Sequence, residues 1–181
     1  VFVIVGMDGA LSVPRDNGDD RFRMIGAKVF GDGSLFAGNI WLSQPYLTNQ
    51  VTLKNLGLPK DFTGHMNYAS DEIRTLVMNS AANGWQVSTH AQGDRTVEAV
   101  LDVYEEALAA YPDACRPFRL EHCGMMTEAQ IDRAIALGVV SSFLLPPIYY
   151  WGDAVRDYLF GAERIETYVP FGSAVRKGMR A

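Results

Sequence analysis

Three side chains stand out for the chemistry they could do together: Lys28 in "GAKVFGDG", His90 in "WQVSTHA" and His122 in "FRLEHC". A neutral imidazole offers a nitrogen lone pair, and two of them with a third donor are enough to hold a zinc-like ion. Lysine is the awkward member, because an ammonium has no lone pair to give. If burial lowers its pKa, the neutral amine can react with carbon dioxide to give a carbamate, an anion whose two oxygens can bridge two metals. Each residue also has an ordinary reading. A single histidine near a strand end is readily satisfied by a carbonyl or carboxylate, and a lone strand-end lysine reaches water along its stem. His65, beside Gly64, reads as an exposed loop residue, Asp32 as a turn residue and Asp94 as a helix cap.

The elements that must position these side chains follow a repeated grammar, in which an amphipathic helix ends at a glycine and a short β-rich run follows. Ser70 is placed to cap a helix carrying Ile73, Leu76 and Val77, Gly84 to end it, and "WQVSTHA" to follow as a strand. Thr127 and Gln130 are spaced as a capping box, Ile131, Ala134 and Ile135 form a buried stripe, and Gly138 leads into "VVSSFLLP". Between them a longer helix opened by Asp94 carries Val97, Val100, Leu101, Tyr104 and Leu108, and Pro112 closes it before "FRLEHC". With "MIGAKVF" ahead of them, these units predict an α/β fold of parallel strands with helices packed outside. Either an open doubly wound sheet or part of a (β/α) barrel satisfies the order. The stretch from about Leu35 to Met66 breaks the rhythm as a long loop insertion, and a loop of this length is usually functional or mobile.

Alternation puts Trp85, Val87 and Thr89 on one face of their strand and Gln86, Ser88 and His90 on the other. Likewise Ile25, Ala27 and Val29 oppose Gly26, Lys28 and Phe30. A parallel strand covered on both sides has little use for polar inward residues unless they have a partner or a task. "FRLEHC" fits less well: if His122 points with the other two, Phe118 and Leu120 accompany it, and Arg119 and Glu121 face the helices. A bulge or a charged pair near the strand end would reconcile the two patterns.

The chain has 181 residues, 48% apolar and 20% charged, as expected of one globular domain. A net charge of −5 with no basic block argues against nucleic acid as a partner. The opening "VFVIVG" is far shorter than the roughly 20 residues that span a bilayer, so no membrane association is expected, and it reads as a strand. Cys115 and Cys123 form no metal or redox spacing, which favours a reducing, cytoplasmic setting. A chain that begins at Val1 and stops after a helix-like pattern reads as a piece of a longer protein.

Taken in order, "AKVFGDGSL", "GWQVSTHAQGD", "RLEHCGMMTEAQIDRAIALGVVSSFLLPPIYYWGD" and "RIETYVPFGSAVRKG" resemble segments of the amidohydrolase superfamily, nearest to its YtcJ-like and N-substituted formamide deformylase-like branch. The resemblance implies a (β/α)8 barrel with a metal centre at the C-terminal rim, of which this chain supplies about strands four to seven. It makes Lys28 the carboxylated bridging lysine, and His90 and His122 ligands of one or two divalent ions, zinc above others, with carbon dioxide needed for the carboxylation. Tyr149, Tyr150 and Trp151, in a loop spanning Pro146 to Asp153, would line the pocket of a small-molecule substrate; a local packing cluster is the equal alternative. The implied reaction is hydrolysis of an amide, formamide or related C–N bond by a metal-activated hydroxide. The family's His-x-His pair has no counterpart here, and its catalytic aspartate lies on an eighth strand that this chain does not reach. The isolated chain is therefore expected to be inactive, and to need the rest of the barrel or self-association. A rival from another class is a non-catalytic α/β binding or assembly module with structural histidines. A small hydrolase using Asp94 or Glu121 as base is weaker, because nothing supplies the remaining ligands.

Overall fold

A computed structural model of the chain describes residues 18–114 and 116–181, and the backbone of Phe2–Ile4. Five strands, β1 (Phe2–Ile4), β2 (Gly26–Phe30), β3 (Gln86–Ala91), β4 (Arg119–His122) and β5 (Val140–Phe143), lie side by side in sequence order, all parallel. A doubly wound sheet reverses its strand order at a switch point, whereas a barrel sector does not. The order observed here is that of a barrel sector. The opening run, read as a strand, is one, and joins the four that the resemblance implies by pairing Phe2 with Gly26 and Ile4 with Lys28.

The connecting helices are α1 (Ser70–Ala82), α2 (Asp94–Ala110) and α3 (Glu128–Leu137). Their stripes Ile73, Leu76, Val97, Leu101, Tyr104 and Ile131 join Ala27, Val29, Val87, Ala91 and Leu120 of the strands in one fully buried core. In this layer the Tyr104 hydroxyl donates to the Arg119 carbonyl at 2.8 Å and pairs with the Thr89 hydroxyl at 2.8 Å, so its buried oxygen is satisfied. Gly84 and Gly138 take the left-handed conformation at φ +72° and +70°, and Thr127 and Gln130 form the reciprocal capping box. Two caps differ by one residue from expectation. Ala69, not Ser70, caps α1, its amide bonded to Glu72, and Gly93 caps α2, leaving the Asp94 carboxylate to accept the Ser43 amide at 2.9 Å.

The segment after β2 is built rather than loose. Leu35, Ile40, Leu42, Tyr46 and Leu58 form a second core with Met125, Val155, Leu159, Phe160, Tyr168 and Val169. The stretch read as a loop from Pro146 to Asp153 is a helix, α4 (Pro146–Ala154), which runs on into the wider-wound turn Val155–Phe160. Proline at its start costs nothing, because the first helical amides have no partner in any case. Two short helices, α5 (Ala162–Ile165) and α6 (Phe171–Arg176), follow. Among the described residues no helix is long and apolar enough to cross a membrane. Cys123 is a buried free thiol, and Cys115 lies outside the described residues.

Candidate metal centre

Paired residues of neighbouring parallel strands point to the same face, and the register sets Lys28 beside Ser88, Phe30 beside His90, and His90 beside Glu121. Ser88 Oγ donates to Glu121 Oε1 at 2.6 Å, and Arg119 Nε donates to the same oxygen at 2.8 Å. Arg119 and Glu121 therefore share the face of Lys28 and His90 and do not face the helices, contrary to expectation. Leu120 takes the helix side, fully buried, because the apolar residue gains most there.

By alternation His122 should follow Leu120 into the core. It does not, because its φ is +76° and that of Cys123 is +50°. The two-residue period fails at a left-handed residue, and the His122 ring ends 4.4 Å, centroid to centroid, from the His90 ring. The left-handed region costs a non-glycine residue on the order of 1 kcal/mol. Two such residues in succession at a strand end mark a backbone held against its preference.

His90 Nε2 lies 2.6 Å from the Gly33 carbonyl oxygen, which can only accept, so the hydrogen of the neutral ring sits on Nε2 and the lone pair on Nδ1. Burial, with the nearby Lys28 charge, lowers the pKa of His90 against the pull of the Gly33 carbonyl and Asp32. Burial, His90 and Lys28 together lower His122 to about 4. Lys28 falls to about 8, chiefly through burial, although Glu121 opposes the shift; its Nζ stands 5.5 Å from the centre of the Phe30 ring. Glu121 is itself held low, because Arg119, Ser88 and Lys28 outweigh the burial that would raise it. At neutral pH the rim thus presents two uncharged imidazoles and an amine far easier to deprotonate than an exposed lysine.

This has a consequence for acid stability. Between the ordinary pKa of 6.5 and the folded value of about 4, the unfolded chain protonates His122 and the folded chain does not. Stability is therefore lost as pH falls through that window. Urea midpoints at pH 7 and pH 5 should show a smaller drop for His122→Asn than for the unaltered protein, since asparagine tolerates the left-handed backbone and does not titrate. An equal drop in both would remove His122 as a cause.

Among the described residues no three His, Cys, Asp or Glu side chains come together as an ion would require. The donor set fits a divalent cation only with Lys28 as third member beside the imidazoles, which is possible once the amine has been converted to an anion. His65 stands apart, its Nδ1 3.1 Å from the Met66 carbonyl. Tyr149, Tyr150 and Trp151 project from α4 largely exposed, Tyr150 meeting Tyr149 edge-on and Trp151 at a tilt, and Trp151 meets the Phe36 ring edge-on at 5.0 Å. Of the three, Trp151 alone lines the apolar groove of about 150 Å³ that it shares with Phe36, Val51, Leu56 and Tyr158. Sequence reasoning missed Asp32: an acid between two glycines looked like a turn, yet its side chain is wholly buried and bonded to three backbone amides.

Fold and rim together define the class: a sector of a parallel (β/α) barrel that carries two adjacent histidines at the ends of its strands. The structure superposes on an uncharacterized metal-dependent hydrolase from Pyrococcus furiosus with a TM-score of 0.72 and 27% identity, over 90% of this chain and 31% of that one. A counterpart from Pyrococcus horikoshii shares the fold, with a TM-score of 0.70 and 24% identity over 90% of this chain and 30% of that one. Residues 9–181 match the amidohydrolase family, and the chain belongs to it. It is 30% identical over 139 residues to the protein LONG AFTER FAR-RED 3 of Arabidopsis thaliana, covering 77% of this chain and 22% of that protein. It is 26% identical over 154 residues to YtcJ of Bacillus subtilis, whose name assigns it provisionally to the amidohydrolases, covering 84% of this chain and 26% of YtcJ. The chain thus spans about a quarter of the length of the curated relatives it matches.

Proposed function

We propose that this chain is the ligand-bearing sector of a metal-dependent amidohydrolase, and that the whole protein hydrolyses a C–N bond, amide, formamide or related, in a small molecule. The observation that carries this reading is the left-handed backbone at His122, which brings its ring beside His90 on the rim that also bears Lys28. A purely structural histidine at that position has no need of such a conformation. His90 would hold a zinc-like ion through Nδ1, its other nitrogen being fixed on Gly33, with His122 as second donor and a Lys28 carbamate as third. When bound, the ion makes hydroxide available near neutral pH and polarises the carbonyl under attack. Glu121, Arg119 and Ser88 form a bonded polar layer on the same strand face that keeps this side of the sheet hydrophilic.

The test is amine release from a panel of N-substituted formamides, simple amides and matched esters by the full-length protein. Release is expected to stop after chelation and to return with added zinc. Undiminished hydrolysis by metal-free protein would overturn the reading, and stable zinc binding without hydrolysis of any member would favour a binding module.

A further inference from the structure

The segment Gly31-Asp32-Gly33 leaves β2 and crosses over the end of β3, where it is bonded to His90 and its successors at every step. Gly31 N donates to the His90 carbonyl at 2.9 Å, and the Gly33 carbonyl accepts the His90 ring at 2.6 Å. Between them the Asp32 carboxylate accepts Gln92 N at 3.0 Å on Oδ1, and Gly93 N at 2.9 Å and Trp41 N at 3.3 Å on Oδ2. Its Oδ1 lies 3.6 Å from His90 Nε2. Asn67 Nδ2 closes the crossing from outside by donating to the Phe30 and Asp32 carbonyls at 3.1 and 2.8 Å.

This is more than a turn needs. An Asx turn bonds amides two or three residues onward, whereas Asp32 bonds amides that lie sixty residues away, directly after a candidate ligand. Nor is Asp32 placed to ligate or catalyse, since its side chain has no solvent exposure and both oxygens are occupied by amides. The packing around the carboxylate leaves little play: a Cβ on Gly93 would stand 1.9 Å from the Trp41 carbonyl oxygen, and one on Gly31 would stand 2.8 Å from that of His90. The carboxylate therefore ties three chain segments into one rigid seat: the end of β2, the turn after β3, and the backbone at Trp41, between Ile40 and Leu42 of the second core.

We propose that Asp32 is a positioning residue for His90: by holding the Gln92–Gly93 turn and the Gly31–Gly33 crossing together it fixes the ring's place and its Nε2–H tautomer, presenting Nδ1 to the metal. The inference rests on the reading of His90 as a ligand, and deepens it. Removing an outer partner of a ligating histidine typically lowers metal affinity about 10- to 100-fold. Asp32→Asn keeps the size of the side chain but turns an amide NH₂ toward at least one of the three amides, so the seat loosens without a cavity.

The experiment uses the full-length protein with isotope-labelled histidine. In the unaltered, metal-free protein at neutral pH, His90 should give the nitrogen NMR signature of a single Nε2–H tautomer; an Nδ1–H ring would overturn the proposal before any variant is made. Asp32→Asn should weaken zinc binding by about 10- to 100-fold and spread the His90 signals over both tautomers. Arg133→Ala is the control: it removes the surface ion pairs of α3 with Glu98, Asp102 and Glu105 on α2, and should leave zinc affinity and the His90 signals alone. Zinc binding and His90 signals unchanged in Asp32→Asn would overturn the proposal, as would an equal loss of zinc in Arg133→Ala. Should the unaltered protein bind no zinc while Asp32→Asn still disturbs the His90 tautomer, the positioning role stands and the metal reading falls.

Discussion

A His90→Ala, His122→Ala double variant of the full-length protein is expected to lose bound zinc, with affinity reduced more than about 100-fold, since true ligands outweigh the outer partners whose loss already costs that much. The argument is one of protonation as well as geometry. Metal binding competes with protons for imidazole nitrogens, and His122, with a folded pKa of about 4, offers no proton for a metal to displace at pH 7. Its neighbour His90 is also pushed toward the neutral form by burial. The rings sit 4.4 Å apart, so each loses its nearest ring neighbour when the other is removed, and the two losses should not be additive. Alanine at residue 122 also meets the left-handed backbone, so His122→Asn serves as the companion that keeps the strand end intact. Metal analysis after gentle purification gives the result directly. Equal zinc in the double variant and the unaltered protein would make the histidines structural and the domain a binding or assembly module.

Why His122 could not be placed from sequence is now physical rather than statistical. Alternation assigns a side chain to a face only while the backbone stays extended, and it served well for Lys28 and His90, whose strands are regular to their ends. In β4 the rule gave the wrong face for Arg119 and Glu121, because it was anchored on His122, the one residue of the strand outside the extended region. Anchoring on Leu120, which has no polar use, would have put the pair with Lys28 correctly and isolated His122 as the exception. The helices were legible because their stripes, capping box and terminal glycines are local signals. The second core was not, since Leu35, Ile40 and Leu42 meet Val155, Leu159 and Phe160 across more than a hundred residues, with no periodicity to announce it. Asp32 was hidden for the same reason: its partners are backbone amides, which every residue carries, and only the fold says which ones.

Lys28→Arg should reduce hydrolysis by the full-length protein at least about 100-fold, the scale seen when a group that fixes the reacting geometry is displaced. Arginine keeps the length and the positive charge, so a lysine that served only as a cation beside Glu121 would be replaced with little loss. What arginine cannot do is become neutral and add carbon dioxide. The shift of Lys28 from 10.5 to about 8 raises its neutral fraction at pH 7 on the order of 100-fold, and it is the neutral nitrogen that forms the new N–C bond, releasing a proton as the carbamate forms. Glu121 alone would disfavour a second anion on that strand face, but the Arg119 guanidinium bonded to it offsets its charge. The sign of the pH dependence follows: carboxylation should rise as pH increases through about 8 and fall below it, because protonation removes the attacking lone pair. Isotope-labelled bicarbonate gives a readout independent of turnover, since a carbamate carbon on Lys28 has its own NMR resonance and adds the mass of one carbon dioxide. The unaltered, zinc-loaded protein should take up one labelled carbon and Lys28→Arg none. Full activity and zinc content in Lys28→Arg, with no labelled carbon in the unaltered protein, would return Lys28 to the role of a charged partner for Glu121 and leave the two imidazoles in need of another third donor.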